Sequence, residues 1–290
     1  MRHFLQNYTN TPQHIEELGA MVKERLRAWS AQNDGTLPTD MLFYRDGISE
    51  SQFDKCKKKE IPQIEAVYAE LSEELCRKYK NTEQAPKSFN LTFVVVGKRH
   101  NTRFYAKENK YTYTSKQNKT DVVNGNLRPG LLVDSVVTNP SPTNFFLQSH
   151  CAIQGTARAA HYHVLQDGME LSARLPNLTQ MLCYAFGRAT TGVSYVAPAY
   201  IADRLCEQGR AYLRQWAEQP EAKPIFEAPK YANDRPYSKE DFEIWKKEKA
   251  LRLAQTKSVW GKNYTDASNL PEERRYNPWH PNLDKGMFWM

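Results

Sequence analysis

Residues 90–97 read Asn-Leu-Thr-Phe-Val-Val-Val-Gly, and Phe93, Val94, Val95 and Val96 follow one another without a polar interruption. A strand points successive side chains to opposite faces, so an apolar run of this kind needs cover on both sides. That requirement admits few architectures, chiefly a sheet with helices on its two faces. The rest of the chain supplies both kinds of element. Ile15, Leu18, Val22, Leu26 and Trp29 recur at helical spacing within 13–30. Residues 40–45 predict a short buried strand, and 49–80 a helix that Pro62 should end or kink. Further strands are predicted near 131–138, 144–148 and 161–165. Helices are predicted near 174–190 and 198–217, the second with Pro198 in its first turn. Residues 108–126, rich in Lys, Asn, Thr and Tyr, read as a mobile loop. Strands and helices in alternation predict an α/β domain.

Composition bounds the function classes only loosely. A chain of 290 residues with 40% apolar and 12% aromatic residues is long enough for one or two globular domains. The net charge of +7 suits nucleic acid, but it suits many soluble partners as well. A mean hydropathy of −0.74 points to polar loops around a modest core. The five cysteines, at 56, 76, 151, 183 and 206, are widely spaced and form no Cys-x-x-Cys pair. That pattern speaks against a disulfide framework or a cysteine zinc site and for a reducing compartment. No apolar run is long enough to span a membrane, and the N-terminus has no secretory core.

The densest chemistry lies in His150-Cys151-Ala152-Ile153-Gln154-Gly155-Thr156-Ala157-Arg158-Ala159-Ala160-His161-Tyr162-His163-Val164-Leu165. Alternation makes 161–165 a strand with His161 and His163 on one face. The preceding segment can bring Gln154, Thr156 and Arg158 to a phosphate backbone. This run resembles the PIWI-domain signature of eukaryotic Argonaute proteins, fungal ones among them. Three further segments resemble that family in the same order: Phe43-Tyr44-Arg45-Asp46-Gly47-Ile48-Ser49-Glu50-Ser51-Gln52-Phe53, Val94-Val95-Val96-Gly97-Lys98-Arg99-His100-Asn101-Thr102-Arg103, and Val193-Ser194-Tyr195-Val196-Ala197-Pro198-Ala199-Tyr200-Ile201-Ala202-Asp203. The terminal Met287-Phe288-Trp289-Met290 resembles the short apolar end of eukaryotic members.

The resemblance implies an RNase H-like fold. Residues 1–216 would be a partial PIWI domain, 217–286 an irregular insertion with a charged helix near 239–255, and 287–290 an apolar tail. The family's strand bearing a first catalytic Asp has no counterpart, and neither has its mid domain, so the expectation is an N-terminally truncated PIWI domain. Asp46 and Asp203 match two catalytic positions and would be Mg²⁺ (or Mn²⁺) ligands. Viewed alone, Asp46 reads as a turn residue before Gly47 and Asp203 as a solvated helix-face charge. Lys98, Arg103, His150, Gln154, Arg158, Arg188, Ser194 and Tyr200 match RNA-contacting positions. Without the resemblance, Lys98 and Arg103 read as solvated surface and His150 as part of a structural network. His161 and His163 read as structural, because no Cys or carboxylate partner stands at metal-ligand spacing.

Two positions depart from the family pattern. Gln13 falls where the catalytic glutamate belongs, and Gln208 where an arginine reaches the guide's 5′-phosphate, with Arg210 two residues on. The resemblance therefore implies the guide-RNA-binding portion of an RNA-silencing effector whose complete form is an RNA-guided endoribonuclease, with no slicing by this chain alone. Its partners would be a small guide RNA, a target RNA and the remainder of an Argonaute chain, in the cytoplasm or nucleus and away from membranes. A binding module without catalysis and a self-contained RNase H-type nuclease are the alternatives.

Overall fold

The computed structural model describes residue 15 and residues 18–79, 89–112, 125–139, 143–152, 155–217 and 247. The readings made at Gln13 and Gln154, over 113–124 and for the tail beyond residue 217 lie outside these residues, apart from Lys247, which is helical. The chain divides into two compact units, Gln13–Ala202 and a second of Met1–Pro12 with Asp203–Met290.

The first unit runs through α1 (Leu18–Gln32), β1 (Asp40–Asp46), a 3₁₀ turn (Glu50–Gln52), α2 (Phe53–Lys59), α3 (Ile61–Tyr79), β2 (Asn90–Gly97), a second 3₁₀ turn (Asn109–Tyr111), β3 (Leu131–Val133), β4 (Asn144–Gln148), β5 (Ala160–Asp167) and α4 (Leu175–Cys183). A last helix, α5 (Ala197–Ala217), begins in this unit and continues in the other. Among the described residues no helix is long and apolar enough to cross a membrane. The five strands make one sheet in the order β1-β2-β5-β4-β3. β1 and β2 pair in parallel, and the pairs β2–β5, β5–β4 and β4–β3 are antiparallel.

β2 shows why the apolar run is needed. Leu91, Phe93 and Val95 pack on one face against Leu18, Val22 and Leu26 of α1 and Ile64, Tyr68 and Leu71 of α3. Val94 and Val96 pack on the other face with Phe145, Leu147, Tyr162, Leu175 and Val196. Each such side chain contributes roughly 1.5–3 kcal/mol when it leaves water. The predicted strand and its two-sided cover are both present.

Other expectations need correction. β1 is half-buried from Met41 to Asp46, and among the described residues it has a sheet neighbour on one side only. The helix predicted over 49–80 is three pieces, with the break at Glu60. Pro62 lies in the first turn of α3, where its missing N–H has no helical partner to lose. The strand predicted over 131–138 stops at Val133. Val136 then takes a φ of 67°, and it and Val137 turn to solvent. The helix predicted over 174–190 ends at Cys183, and tight turns follow as Tyr184 and Ala185 donate to the Met181 and Leu182 carbonyls. Strand 144–148 is as predicted, and β5 extends the predicted 161–165 at both ends.

Candidate nucleic-acid interface

The pairing directions decide which residues meet. β1, β2 and β4 all run the same way, and β5 runs against them. The C-terminal ends of three strands and the N-terminal end of β5 therefore share one edge of the sheet. Asp46 closes β1, Lys98 follows β2, His150 follows β4, and Arg158 precedes β5. Open α/β sheets place their ligands at the carboxyl ends of strands.

Asp46 is held from below. Gly47 turns the chain away with φ +84°, a conformation that a side chain would resist. Arg45 donates through Nη1 to the Asp46 carbonyl. The same guanidinium donates through Nε to Glu60 Oε2 at 2.9 Å and through Nη2 to Oε1 at 3.2 Å. Glu60 is fully buried and also accepts from the Ile15 N–H at 2.9 Å and the Cys56 thiol at 3.3 Å. Burial, and then the charge of Glu60, pushes the Cys56 thiol up to about 12, so it stays a donor. A buried ion pair satisfied on every side is one the fold can tolerate.

The cationic part centres on Lys98. Its ammonium lies 5.8 Å from the centre of the Tyr195 ring. Arg158 donates through Nη1 to the Lys98 carbonyl at 3.3 Å, while its side chain is otherwise exposed. Burial lowers the Lys98 pKa, the Arg158 charge lowers it further, and Asp46 opposes both. Two cations that disfavour each other are relieved by an anion bound between or across them. His150 is half-buried, and burial followed by the Lys98 charge pushes it down to about 4. It is therefore a neutral hydrogen-bonding ring at physiological pH, with a buried Nδ1 that has no partner.

Buried hydroxyls pin the segment carrying Ser194 and Tyr195. Ser149 donates to the Val193 carbonyl, and the Val196 N–H donates to the Tyr162 hydroxyl at 3.1 Å. Gly192 sits so close to this frame that a Cβ there would lie 2.4 Å from the Ser149 carbonyl oxygen. Tyr195 then packs on Tyr200 with ring centroids 4.8 Å apart, and Tyr200 packs on Phe186 at 4.7 Å. An unbroken line thus runs from Lys98 through Tyr195 and Tyr200 to Phe186. Tyr195 and Phe186 are the members that the sequence reading did not name as site residues.

The other predicted residues are placed differently. Arg103 turns back on its own loop, with Nη1 donating to the His100 and Thr102 carbonyls. Arg188 is exposed beyond α4, and Ser194 is half-buried. Asp203 and the half-buried Gln208 lie on the part of α5 belonging to the second unit. His161 and His163 share a face as expected, but a carboxylate does reach them, that of Glu50.

The comparisons with known proteins agree with this fold. The Piwi domain family matches residues 4–214. Argonaute 18 of rice (Oryza sativa subsp. japonica) is 37% identical over 202 residues, which cover 69% of this chain and 17% of the relative. Argonaute 7 of Arabidopsis thaliana is 34% identical over 215 residues, covering 74% of this chain and 19% of the relative. The chain thus spans about a fifth of the length of the curated relatives it matches. Among solved structures, Kluyveromyces polysporus Argonaute with a guide RNA superposes with a TM-score of 0.57 at 31% identity, over 67% of this chain and 22% of that one. The C-terminal lobe of a budding yeast Argonaute gives a TM-score of 0.59 at 30% identity, over 72% of this chain and 41% of that one. With a sheet of the RNase H-like kind and a family match over most of its length, the chain belongs to the Piwi domain family.

Proposed function

We propose that this chain is the guide-RNA-binding PIWI portion of an Argonaute, and that it grips RNA through the sheet edge bearing Lys98, His150 and Arg158. The observation that carries the reading is the convergence of those residues on one sheet edge, Asp46, Lys98 and His150 at the carboxyl ends of β1, β2 and β4 and Arg158 at the amino end of β5. A half-buried lysine beside an arginine suits a phosphate, and the Tyr195–Tyr200 pair gives the lysine a fixed wall. Such contacts set position along a nucleic-acid backbone and carry no base information. The similarity to an Argonaute solved with a guide RNA supports the same partner.

Cleavage of a target RNA belongs, in this reading, to the complete protein. Asp46 and Asp203 offer hard oxygen ligands, the donor type that Mg²⁺ or Mn²⁺ prefers. When bound, such an ion supplies an activated water and steadies the leaving oxygen of a phosphodiester. The chain's own contribution is to fix the Asp46 backbone at the strand end through Arg45 and to keep Lys98 near its carboxylate as a counter-charge.

The test is fluorescence anisotropy of the 290-residue chain with two single-stranded RNAs of unrelated sequence. Similar affinity for both is expected, with weakening as salt rises. Failure to bind either RNA, or a strong preference between them, would overturn the reading.

A further inference from the structure

A second chemical cluster of the first unit gathers on β5 from side chains that the proposed RNA contacts do not use. His161 and His163 project from one face with ring centroids 3.8 Å apart. The chain leaving β1 turns through Gly47 and brings Glu50, at the head of the 3₁₀ turn, to the same face. Nitrogen atoms of the two rings and a carboxylate oxygen of Glu50 all lie within 4.8 Å of one another.

The arrangement is poorly explained as an ion pair. His163 Nε2 and Glu50 Oε1 are 3.7 Å apart, beyond a hydrogen bond. Donor atoms bonded to one tetrahedral zinc at about 2.0–2.1 Å stand roughly 3.4 Å from each other. The gap thus approaches the width that a zinc ion spans. Burial lowers the pKa of both histidines, that of His161 to about 3; His163 and His100 lower His161 further, while at His163 the Glu50 charge opposes the shift and His100 adds to it. The neutral imidazole is the form that binds metal.

The surroundings orient the rings as an outer shell does. His161 Nε2 donates to Asn144 Oδ1 at 3.1 Å, which leaves the Nδ1 lone pair available. Phe146 stacks on His161 at 3.8 Å and 14°, and Phe53 packs on His163 at 4.9 Å. Beside them His100, ring centroid 6.1 Å from that of His161, has a buried Nδ1 without a partner. The imidazole content selects a borderline metal such as zinc over magnesium.

We propose that Glu50, His161 and His163 form a Zn²⁺ site that ties the turn after β1 to β5. With three protein ligands the site leaves a fourth position for water. It would fasten the segment 47–50, and so the strand end carrying Asp46, to the middle of the sheet. The inference does not rest on RNA binding and stands or falls separately.

The test is titration of the metal-stripped full chain with Zn²⁺ in competition with a chromophoric chelator, and with Co²⁺ as a visible-light probe. One ion per chain is expected, with a cobalt spectrum lacking the near-ultraviolet band of thiolate ligation. Glu50→Gln is exposed enough to leave folding intact, which thermal melting checks. It should weaken Zn²⁺ binding at least as much as the roughly 10–100-fold that loss of an outer-shell partner costs. Asn144→Ala should weaken it by about that factor. No uptake of metal, a thiolate band, or unchanged affinity in Glu50→Gln would overturn the proposal.

Discussion

The Lys98 ammonium stands 5.8 Å from the centre of the Tyr195 ring, although the two residues belong to distant parts of the chain. Lys98 arrives at the end of β2, and Tyr195 arrives just ahead of α5 on a segment held by Ser149 and Tyr162. The ring gives a half-buried cation a partner that does not neutralise it. The charge stays available to an anion while the side chain is held in place. A double-mutant cycle of Lys98→Ala and Tyr195→Ala on RNA affinity should give a coupling of about 0.5–1 kcal/mol. Additive effects would mean that the ring does not position the lysine.

Glu60 is the residue on which the Asp46 end of β1 depends. Its side chain is fully buried, and the Arg45 side chain is only 14% exposed. Glu60→Ala leaves that guanidinium without its counter-charge and should cost about 3–5 kcal/mol in urea unfolding. Replacing both partners together with apolar residues should cost less than the single change, because no charge is stranded. A double variant less stable than Glu60→Ala would contradict this assignment.

His150 makes stability depend on pH. Its folded pKa of about 4 lies below the ordinary 6.5, because burial and then Lys98 disfavour the charged ring. The unfolded chain therefore binds the proton first. Stability is fully present above about pH 6.5 and falls as pH drops from there towards 4. His150→Gln should flatten part of that fall when unfolding is compared at pH 7 and pH 5. His161, pushed down to about 3, and His100 and His163, both lowered by burial, keep the remainder. An unchanged pH slope in His150→Gln would show that the ring is not held neutral.

Much of this was legible in the residues, and the losses have physical reasons. The run Phe93 to Val96, short and rich in β-branched residues, announced a strand covered on both faces. The valines at 136 and 137 misled for a related reason. Strand preference is largely the fit to a half-buried pleated surface, and here the chain has already left the sheet. The helix after Leu175 ended early because the chain must turn back for Gly192 to pass Ser149. In the site, Lys98, His150 and Arg158 could be named from motifs. Tyr195 and Glu50 could not, because their partners are reached only once the strands are ordered. Motif spacing holds no record of such crossings.

The central claim is that Lys98 and Arg158 contact RNA phosphates directly. It is tested most directly by the salt dependence of single-stranded RNA binding, compared between the unaltered chain and Lys98→Ala/Arg158→Ala. Each phosphate contact on a single strand contributes about −0.7 to the slope of log affinity against log salt. Weaker binding and a slope shallower by about 1.4 are expected in the double variant. An unchanged slope, with affinity lost or kept, would contradict it.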